Sequence, residues 1–268
     1  MTLPLPPCFD LAQTLDCGQA FRWRQRDSCR WEGAALGRSL RLSQSGGALE
    51  ADCSPEEWAR IWAPYFDLEE DYTRIQAELA DLSPVLAEAA AFAPGIRILR
   101  QDPWEALCTF VLSQNNNIRR IKGLVEAFCR RFGPEIPGSP LRGFPSAERV
   151  AALSLEDLAP LRMGYRAPYV LDAARRAAAG EIPFCRILEE EPDFGREQLR
   201  KIQGVGPKVA ECALLYGFHK TECFPLDVWM KRAMAVLLPG VRPEDFGGNA
   251  GLAQQYLFHY SRMHPELF

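Results

Sequence analysis

Lys208 is the residue whose type and position best suit it for chemistry, within the stretch GVGPKVAEC. A helix is predicted to begin at Pro207, directly after the Gly204-Val205-Gly206 turn, which puts the lysine in the first helical turn. The positive end of the helix dipole and any partial burial favour a neutral amine there, the form that attacks electrophilic carbon. Cys212 lies one turn further on the same face, so we predict that both side chains line one pocket.

Asp227 follows Lys208 by nineteen residues, in the apolar segment Phe-Pro-Leu-Asp-Val. A carboxylate in this setting is either the N-cap of the next helix or a charge aimed at a cationic centre, and it can be both. A lone lysine is more often a solvated surface residue, but a carboxylate at this spacing argues against that alternative. We predict that Lys208 and Asp227 form a catalytic pair.

The elements that must position the pair are two short helices joined by the glycine turn, a helix-hairpin-helix. Glycines at 204 and 206 permit a positive φ and expose bare backbone to a phosphate. The second helix points its free N–H groups, including that of Val209, at the same anion. No strand precedes the turn, which argues against a dinucleotide-binding fold. The motif therefore predicts a DNA anchor that does not depend on base sequence.

Two other loops carry groups suited to nucleic acid. Ser113-Gln-Asn-Asn-Asn-Ile-Arg-Arg-Ile places amides such as Asn115 beside the guanidinium of Arg120, which suits a phosphate or a base edge. A capped helix with a wet face is the alternative. Tyr165-Arg166 follows Gly164 and could wedge into a base stack. A packed tyrosine beside a solvated arginine explains the same residues.

The fold class expected is α+β, with an N-terminal antiparallel β-sheet subdomain followed by a mostly helical, two-lobed core. Turn signals divide residues 9–53 into short segments that are predicted to be strands, around Phe9–Leu15, Ala20–Arg24, Arg30–Ala34, Leu40–Leu42 and Ala48–Ala51. Gly18 interrupts them and is either a plain turn glycine or a point of close approach. Helical spacing begins at Ser54, another helix is predicted to open at Asp102-Pro103, and a helix with an acidic end is predicted at Ile182–Asp193. We divide the chain into residues 1–94, 95–180 and 181–268.

Composition bounds the class of protein. The chain has 268 residues, 47% of them hydrophobic, and a net charge of −4, which counts against a basic nucleic-acid coat protein. Positive charge is concentrated in one part of the chain, since residues 113–176 carry 11 Lys/Arg against 6 Asp/Glu. Nine cysteines without a CxxC pair favour reduced thiols in an intracellular protein. No signal peptide or membrane span is predicted, and we expect a monomer.

Five segments in order resemble one family. GQAFRWR, SQNNNIRRI, MGYRA, GVGPKVAEC with PLDV, and AQQYLF are similar to segments of the helix-hairpin-helix–Gly/Pro-Asp DNA glycosylases, and within them of the 8-oxoguanine DNA glycosylases. The resemblance spans most of the chain. It implies a glycosylase core, duplex DNA containing 8-oxoguanine as partner, and a location with the DNA, in the nucleoid or the nucleus.

The resemblance also implies catalytic and base-binding roles. Lys208 would attack C1′, expel the base and hold the sugar as a Schiff base, from which β-elimination nicks the strand. Asp227 would stabilise the developing sugar cation. The Gly18 carbonyl would accept N7–H of 8-oxoguanine, a hydrogen that guanine lacks. Cys212 and Phe258 would sandwich the flipped base, and Gln254 would read its Watson–Crick edge; Gln254 and Phe258 share a helix face by spacing.

Further implied roles concern the DNA and ions. Asn115 would fill the gap left by the flipped base, Arg120 and Arg166 would bond the estranged cytosine, and Tyr165 would act as wedge. No cofactor is expected, but a monovalent or divalent cation could be held by main-chain carbonyls of Arg200, Ile202 and Val205. No four-cysteine cluster follows the hairpin, so no iron–sulfur cluster is expected.

One departure and two alternatives stay open. Trp229 stands where the eukaryotic enzymes of this family usually have histidine, so stacking or packing could replace a phosphate contact there. A glycosylase for a different damaged base would keep Lys208 and Asp227. A non-catalytic DNA-binding module would need only the hairpin, and the presence of both residues argues against it.

Overall fold

The N-terminal sheet is antiparallel and has five strands. The structure is a computed structural model that describes residues 1–267. The strands are β1 (Thr2–Pro4), β2 (Trp23–Gln25), β3 (Arg30–Ala35), β4 (Arg38–Ser45) and β5 (Ala48–Ala51), in the spatial order β1-β5-β4-β3-β2. Consecutive strands from β2 to β5 pair with their neighbours, as expected for a meander with short turns.

The other regular elements of residues 1–267 are helices and helical turns. They are α1 (Leu11–Asp16), α2 (Pro55–Glu57), α3 (Ala63–Tyr65), α4 (Tyr72–Leu82), α5 (Pro84–Phe92), α6 (Pro103–Ser113), α7 (Ile118–Phe132), α8 (Ala147–Ala151), α9 (Leu155–Leu158), α10 (Arg166–Ala178), α11 (Phe184–Glu189), α12 (Pro192–Leu199), α13 (Pro207–Gly217), α14 (Val228–Leu237) and α15 (Ala250–Met263). A π-helical turn at Trp58–Trp62 joins α2 to α3, and 3₁₀ turns lie at Ala159–Leu161, Pro243–Asn249 and Pro265–Leu267. The predicted α+β class, with an antiparallel sheet ahead of a mostly helical core, is confirmed.

The strand predicted at Phe9–Leu15 is wrong, because this segment forms helix α1. Asp10 caps it by accepting a hydrogen bond from the Gln13 N–H at 2.8 Å. Leu11, Thr14 and Leu15 are buried at helical spacing. The edge strand is instead β1, which the sequence did not predict because its three residues become a strand only by pairing with β5.

The single helix predicted from Ile182 to about Asp193 is also wrong. The structure has two helices there, α11 and α12, with an extended break at Glu190 and Glu191. Pro192 explains the break, since it has no N–H and disfavours helical backbone in the preceding residue. The first helix of the hairpin, α12, therefore begins at Pro192.

Two hydrophobic clusters form the interior. The smaller lies under the sheet and is rich in aromatic side chains, with Trp23, Trp62 and Phe66 fully buried. The larger runs through the helical part from α4 to α15. Helices α4 and α5 contribute to the larger cluster although they lie within the first of the three predicted divisions of the chain. That division stays a prediction.

Asp67 connects the N-terminal part to the end of helix α13. Its carboxylate accepts hydrogen bonds from Tyr72 at 2.9 Å and Arg100 at 2.7 Å, and His219 Nε2 lies 3.4 Å away. Burial by itself would raise the pKa of this carboxyl, but His219 and Arg100 outweigh burial and lower the pKa below its ordinary value of 3.8. The ionised form is therefore stabilised in the folded protein.

The lowered pKa of Asp67 predicts a loss of stability in acid. The unfolded chain takes up this proton at a higher pH than the folded protein does. The contribution of Asp67 to the free energy of unfolding is therefore complete above the pKa that the carboxyl has in the unfolded chain, and it is lost as the pH falls through the pKa in the folded protein. We expect Asp67→Asn to lower the free energy of unfolding by about 1–3 kcal/mol at neutral pH, and the gap from the unsubstituted protein to narrow below about pH 4.

Urea unfolding at a series of pH values measures this gap, with Asp81→Asn on the exposed side of α4 as the control. A gap that stayed constant down to pH 3 would contradict the assignment of the acid sensitivity to Asp67.

All nine cysteines are free thiols. No helix within residues 1–267 combines the length and apolar character needed to cross a membrane.

Candidate active site

Lys208 lies in the first turn of α13, as the sequence predicts. The helix begins at Pro207 with Gly206 as N-cap. The amine nitrogen lies 3.4 Å from Ser113 Oγ at the end of α6 and 5.5 Å from the centre of the Phe110 ring. The side chain is half-buried, so an amine at the rim of the core remains open to an incoming group.

Asp227 is the N-cap of α14. Its Oδ1 accepts the Met230 N–H at 2.8 Å, which fixes the carboxylate at the start of the helix. Asp227 also lines the cavity that Lys208 lines. The two readings weighed for this residue, helix cap and charge directed at a cationic centre, are therefore compatible.

One small cavity brings together the residues predicted to bind the base. It is lined by Cys17, Gly18, Phe110, Lys208, Cys212, Tyr216, Pro225, Asp227, Gln254, Gln255 and Phe258. Its volume is about 50 Å³, room for one or two waters and too little for a purine. A base can enter only after a side chain moves.

Cys212 faces this cavity from α13, one turn after Lys208, and is buried. Burial raises the pKa of its thiol, and the nearby Lys208 opposes that rise without cancelling it. Cys212 is therefore a neutral, apolar wall of the cavity. The opposite wall is Phe258 on α15, with the buried amide of Gln254 one turn earlier.

Gly18 occupies a position that only glycine suits. Its φ is +94°, and a Cβ there would lie 3.3 Å from both Phe258 Cε1 and Ile118 Cδ1. The neighbouring Gln19 is fully buried and fixes the loop through bonds to the carbonyls of Thr14 and Arg97. Of the two interpretations of this glycine, close approach is the one that its surroundings support.

Of the two glycines in the hairpin turn, Gly204 is required for steric reasons, whereas Gly206 has free space around it. Gly204 has a φ of +79°, and a Cβ there would lie 2.2 Å from the Tyr169 ring of α10. Gly206 is extended, and a Cβ on it would meet nothing within 4 Å. No side chain caps α13, so the N–H groups at Lys208 and Val209 stay available to an anion. The side chain of Val209 itself is buried.

Asn115, Arg120 and Tyr165 lie at one surface, where α6 ends and α7 and α10 begin. Asn115 is exposed and has a φ of +46°. The Tyr165 ring is 48% exposed, and its hydroxyl donates to the Gln114 carbonyl at 3.1 Å. Arg120 is also exposed and reaches the Arg162 carbonyl at 3.4 Å. These three side chains are free to meet a partner.

Arg166 differs from its neighbours because it is only 4% exposed. Its guanidinium donates to the carbonyls of Gln114 and Asn115, each at 2.8 Å, and of Met163 at 3.3 Å. In this structure it holds the asparagine-rich loop in place. A contact with an estranged cytosine stays a prediction, and it would require the side chain to leave these carbonyls.

Trp229 packs at the start of α14 and donates from its indole N–H to Ser261 Oγ at 2.9 Å. It thereby joins the helix that carries Asp227 to the helix that carries Phe258. A role at a DNA phosphate stays untested.

Three site residues were not singled out from the sequence. Ser113 and Phe110 surround the amine of Lys208, and Gln255 donates to the Cys17 carbonyl at 3.1 Å while accepting from Tyr216. The Gln254-Gln255 pair within the otherwise largely apolar residues 250–258 was the available signal.

No group of three or more His, Cys, Asp or Glu side chains in residues 1–267 is arranged to hold a metal. The segment proposed for a main-chain cation, with Arg200, Ile202 and Val205, is a compact turn. The Ile202 carbonyl accepts the Val205 N–H at 3.1 Å, which uses one of its two lone pairs and leaves the other for an ion.

The fold and site define a helix-hairpin-helix protein with a lysine and a capping aspartate at one cavity. Residues 2–107 match the N-terminal domain family of 8-oxoguanine DNA glycosylases, and residues 108–239 match the HhH-GPD superfamily of base excision DNA repair proteins. The chain belongs to the 8-oxoguanine DNA glycosylase family of that superfamily.

Individual relatives agree with this assignment. The probable N-glycosylase/DNA lyase of Methanothermobacter thermautotrophicus is 35% identical over 74% of this chain and 71% of its own. The solved structure of MBOgg1 with a low-affinity DNA ligand is 38% identical, has a TM-score of 0.92, and covers 98% of this chain and 96% of its own.

The Clostridium acetobutylicum 8-oxoguanine glycosylase/lyase, solved with double-stranded DNA containing cytosine opposite 8-oxoguanine, is 34% identical with a TM-score of 0.89 and covers 97% of this chain and 93% of its own.

Proposed function

We propose that the protein excises 8-oxoguanine from duplex DNA and then nicks the strand, as a bifunctional N-glycosylase and lyase of base excision repair. The observation that carries the proposal is one cavity lined by Lys208, Asp227, Cys212, Gly18 and Phe258. A nucleophile, a carboxylate and two flat or apolar walls are the groups needed to hold a flipped base and cleave its bond to the sugar.

In the reaction, the neutral amine of Lys208 attacks C1′ of the flipped nucleotide. The bond from C1′ to the base breaks, and its electron pair leaves with the base. Asp227 stabilises the positive charge that develops on the sugar. The attached amine gives a proton to the departing base, and the C1′–O4′ bond then breaks, its electron pair staying on O4′, which takes up a proton. This leaves an iminium at C1′, and loss of a C2′ proton expels the 3′ phosphate. A helix-capping carboxylate suits this task because it is already oriented before DNA binds.

Recognition of the oxidised base uses the backbone. The Gly18 carbonyl accepts the N7–H of 8-oxoguanine, whereas guanine presents a lone pair at N7 and repels it. Cys212 and Phe258 sandwich the base, and Gln254 reads its Watson–Crick edge. The ring of Phe258 rests against Gly18, and we expect this ring to move when the base enters.

DNA is held from two sides. Gly204, Gly206 and the first N–H groups of α13 up to Val209 bind a phosphate, with a cation at the carbonyls of Arg200, Ile202 and Val205 as an additional proposal. On the other side, Asn115 enters the gap in the stack, Tyr165 wedges beside it, and Arg120 with Arg166 faces the estranged cytosine. The protein acts as a monomer and needs no dissociable cofactor. Its location is the compartment that contains the DNA.

The test is a set of four duplexes with 8-oxoguanine opposite each base. Excision and nicking are read on gels, and borohydride is added to reduce the iminium to a stable adduct. We expect an adduct, with the highest rate opposite cytosine. Excision confined to other lesions would favour a different glycosylase. Binding without excision or adduct on any duplex would leave only a DNA-binding module.

Arg120→Ala is predicted to relax the preference for cytosine. The exposed guanidinium is free to bond a base edge, and a bidentate contact of that kind discriminates by about 1–3 kcal/mol, so the ratio of rates opposite cytosine and adenine should fall about tenfold. Single-turnover rates measure this ratio. Arg119→Ala, one residue away on the same helix, is the matched control and should retain it. An unchanged ratio in Arg120→Ala would remove that residue from the opposite-base role.

A further inference from the structure

Arg262 is the third residue in a row on the face of α15 that carries the base site. Gln254, Phe258 and Arg262 follow at intervals of four residues, which places them in one row along the helix. The Arg262 guanidinium carbon lies 5.7 Å from the centre of the Phe258 ring. Its Nη1 lies 3.9 Å from the point that a Cβ on Gly18 would occupy. The guanidinium therefore lies beside both the stacking ring and the glycine of the cavity.

The donor Nη1 of Arg262 is buried and has no hydrogen-bond acceptor among residues 1–267. Buried donors are almost always paired, because an unpaired one forfeits its bonds to water. A charged donor held in this way beside a ligand cavity is suited to an acceptor that arrives with the ligand.

The protein groups around Arg262 do not supply that acceptor. Burial raises the pKa of the Cys17 thiol to about 12, so it is not a thiolate at neutral pH. Burial first and the charge of Arg262 second lower the pKa of His259. A neutral imidazole has one acceptor nitrogen, but Nδ1 of His259 is itself buried without a partner among residues 1–267, so it does not bond Arg262 Nη1. The carboxylate of Asp16 is engaged by Lys122 at 2.6 Å.

The oxidised base brings an acceptor to this place. Compared with guanine, 8-oxoguanine has two new groups on adjacent atoms, the N7–H donor and the C8 carbonyl oxygen. If the Gly18 carbonyl accepts the first, the second is presented next to Gly18, where Nη1 of Arg262 is buried. We infer that Arg262 donates a hydrogen bond to O8 of the flipped base and is a second specificity-determining residue for the oxidised edge. This inference rests on the proposed function.

The test measures binding rather than cleavage. Three duplexes are used, each with cytosine opposite the central position: 2′-fluoro-8-oxoguanosine, which resists excision, 2′-fluoroguanosine, and a tetrahydrofuran abasic analogue without a base. Arg262→Met keeps the length of the side chain but cannot donate. We expect its Kd for the 8-oxoguanine duplex to rise at least about tenfold, as for a lost hydrogen bond to a charged group, with both other Kd values unchanged. Arg262→Lys should recover part of the loss.

Each other outcome overturns the inference. An equal loss on all three duplexes would mean that Arg262 contacts a phosphate. An altered Kd for the guanine duplex would mean that it acts by positioning Gly18. Unchanged binding throughout, with or without a lower Tm, would leave a packing role only. Arg60→Met, which removes an exposed arginine of the sheet side, is the matched control. If the unsubstituted protein itself did not prefer the 8-oxoguanine duplex, the proposed function would fail instead.

Discussion

Lys208→Gln is expected to abolish both excision and borohydride trapping. Glutamine has nearly the length of lysine but no amine lone pair, so neither the attack on C1′ nor the iminium can form. Loss of the attacking group should lower the single-turnover rate at least about a thousandfold, in the range found when nucleophiles are removed from other enzymes. Binding to a tetrahydrofuran duplex should remain, because the N–H groups of α13 that hold the phosphate are unchanged.

The matched control for this variant is Lys201→Gln. Lys201 belongs to the same hairpin but is exposed and pairs with Glu197 at 3.1 Å. This variant should still form the adduct, even if it binds DNA somewhat less tightly. An adduct in Lys208→Gln would show that another amine is the nucleophile, and the proposed mechanism would be wrong.

Cys212→Trp is expected to have the second largest effect. The cavity holds about 50 Å³, and Cys212 is one of its buried walls, so an indole at this position fills the space that the base must enter. Excision of 8-oxoguanine should fall below detection. Binding to undamaged duplex should be retained, because the N–H groups that bind a phosphate lie in the first turn of α13, before Cys212. Gel assays of excision and fluorescence anisotropy with undamaged DNA measure the two properties separately.

Cys185→Trp provides the control for introducing tryptophan, since Cys185 is exposed on α11. It should excise at the unsubstituted rate. If Cys212→Trp also excised normally and bound 8-oxoguanine duplex normally, the base would lie elsewhere. A lowered Tm in Cys212→Trp, with DNA binding lost as well, would report overpacking, and Cys212→Leu would then be the smaller substitution to compare.

Local sequence signals were sufficient where one segment decides its own structure. The capping aspartates at 102 and 227, the proline at 207 and the glycine turn before it each act within a few residues, and the helices that they start are present. The errors arose where neighbours decide. Apolar and polar residues alternate in Phe9–Leu15 nearly as they would in a strand. The segment is nevertheless helical, because a helix buries Leu11, Thr14 and Leu15 on one face. The three residues of β1 are a strand only through β5.

The sequence by itself determined the chemistry: a lysine at a helix start, a carboxylate at the next one, and five segments whose order resembles one family. Only the tertiary structure decided the surroundings of these groups. It assembled Gly18, Cys212 and Phe258 at one cavity and packed the ring of Phe258 against Gly18. It also buried Arg166 under the carbonyls of another loop and left Arg262 Nη1 without an acceptor among the described residues. The burial of a side chain and its hydrogen-bond partners depend on which distant segments pack together, and the spacing of residues along the chain does not predict that packing.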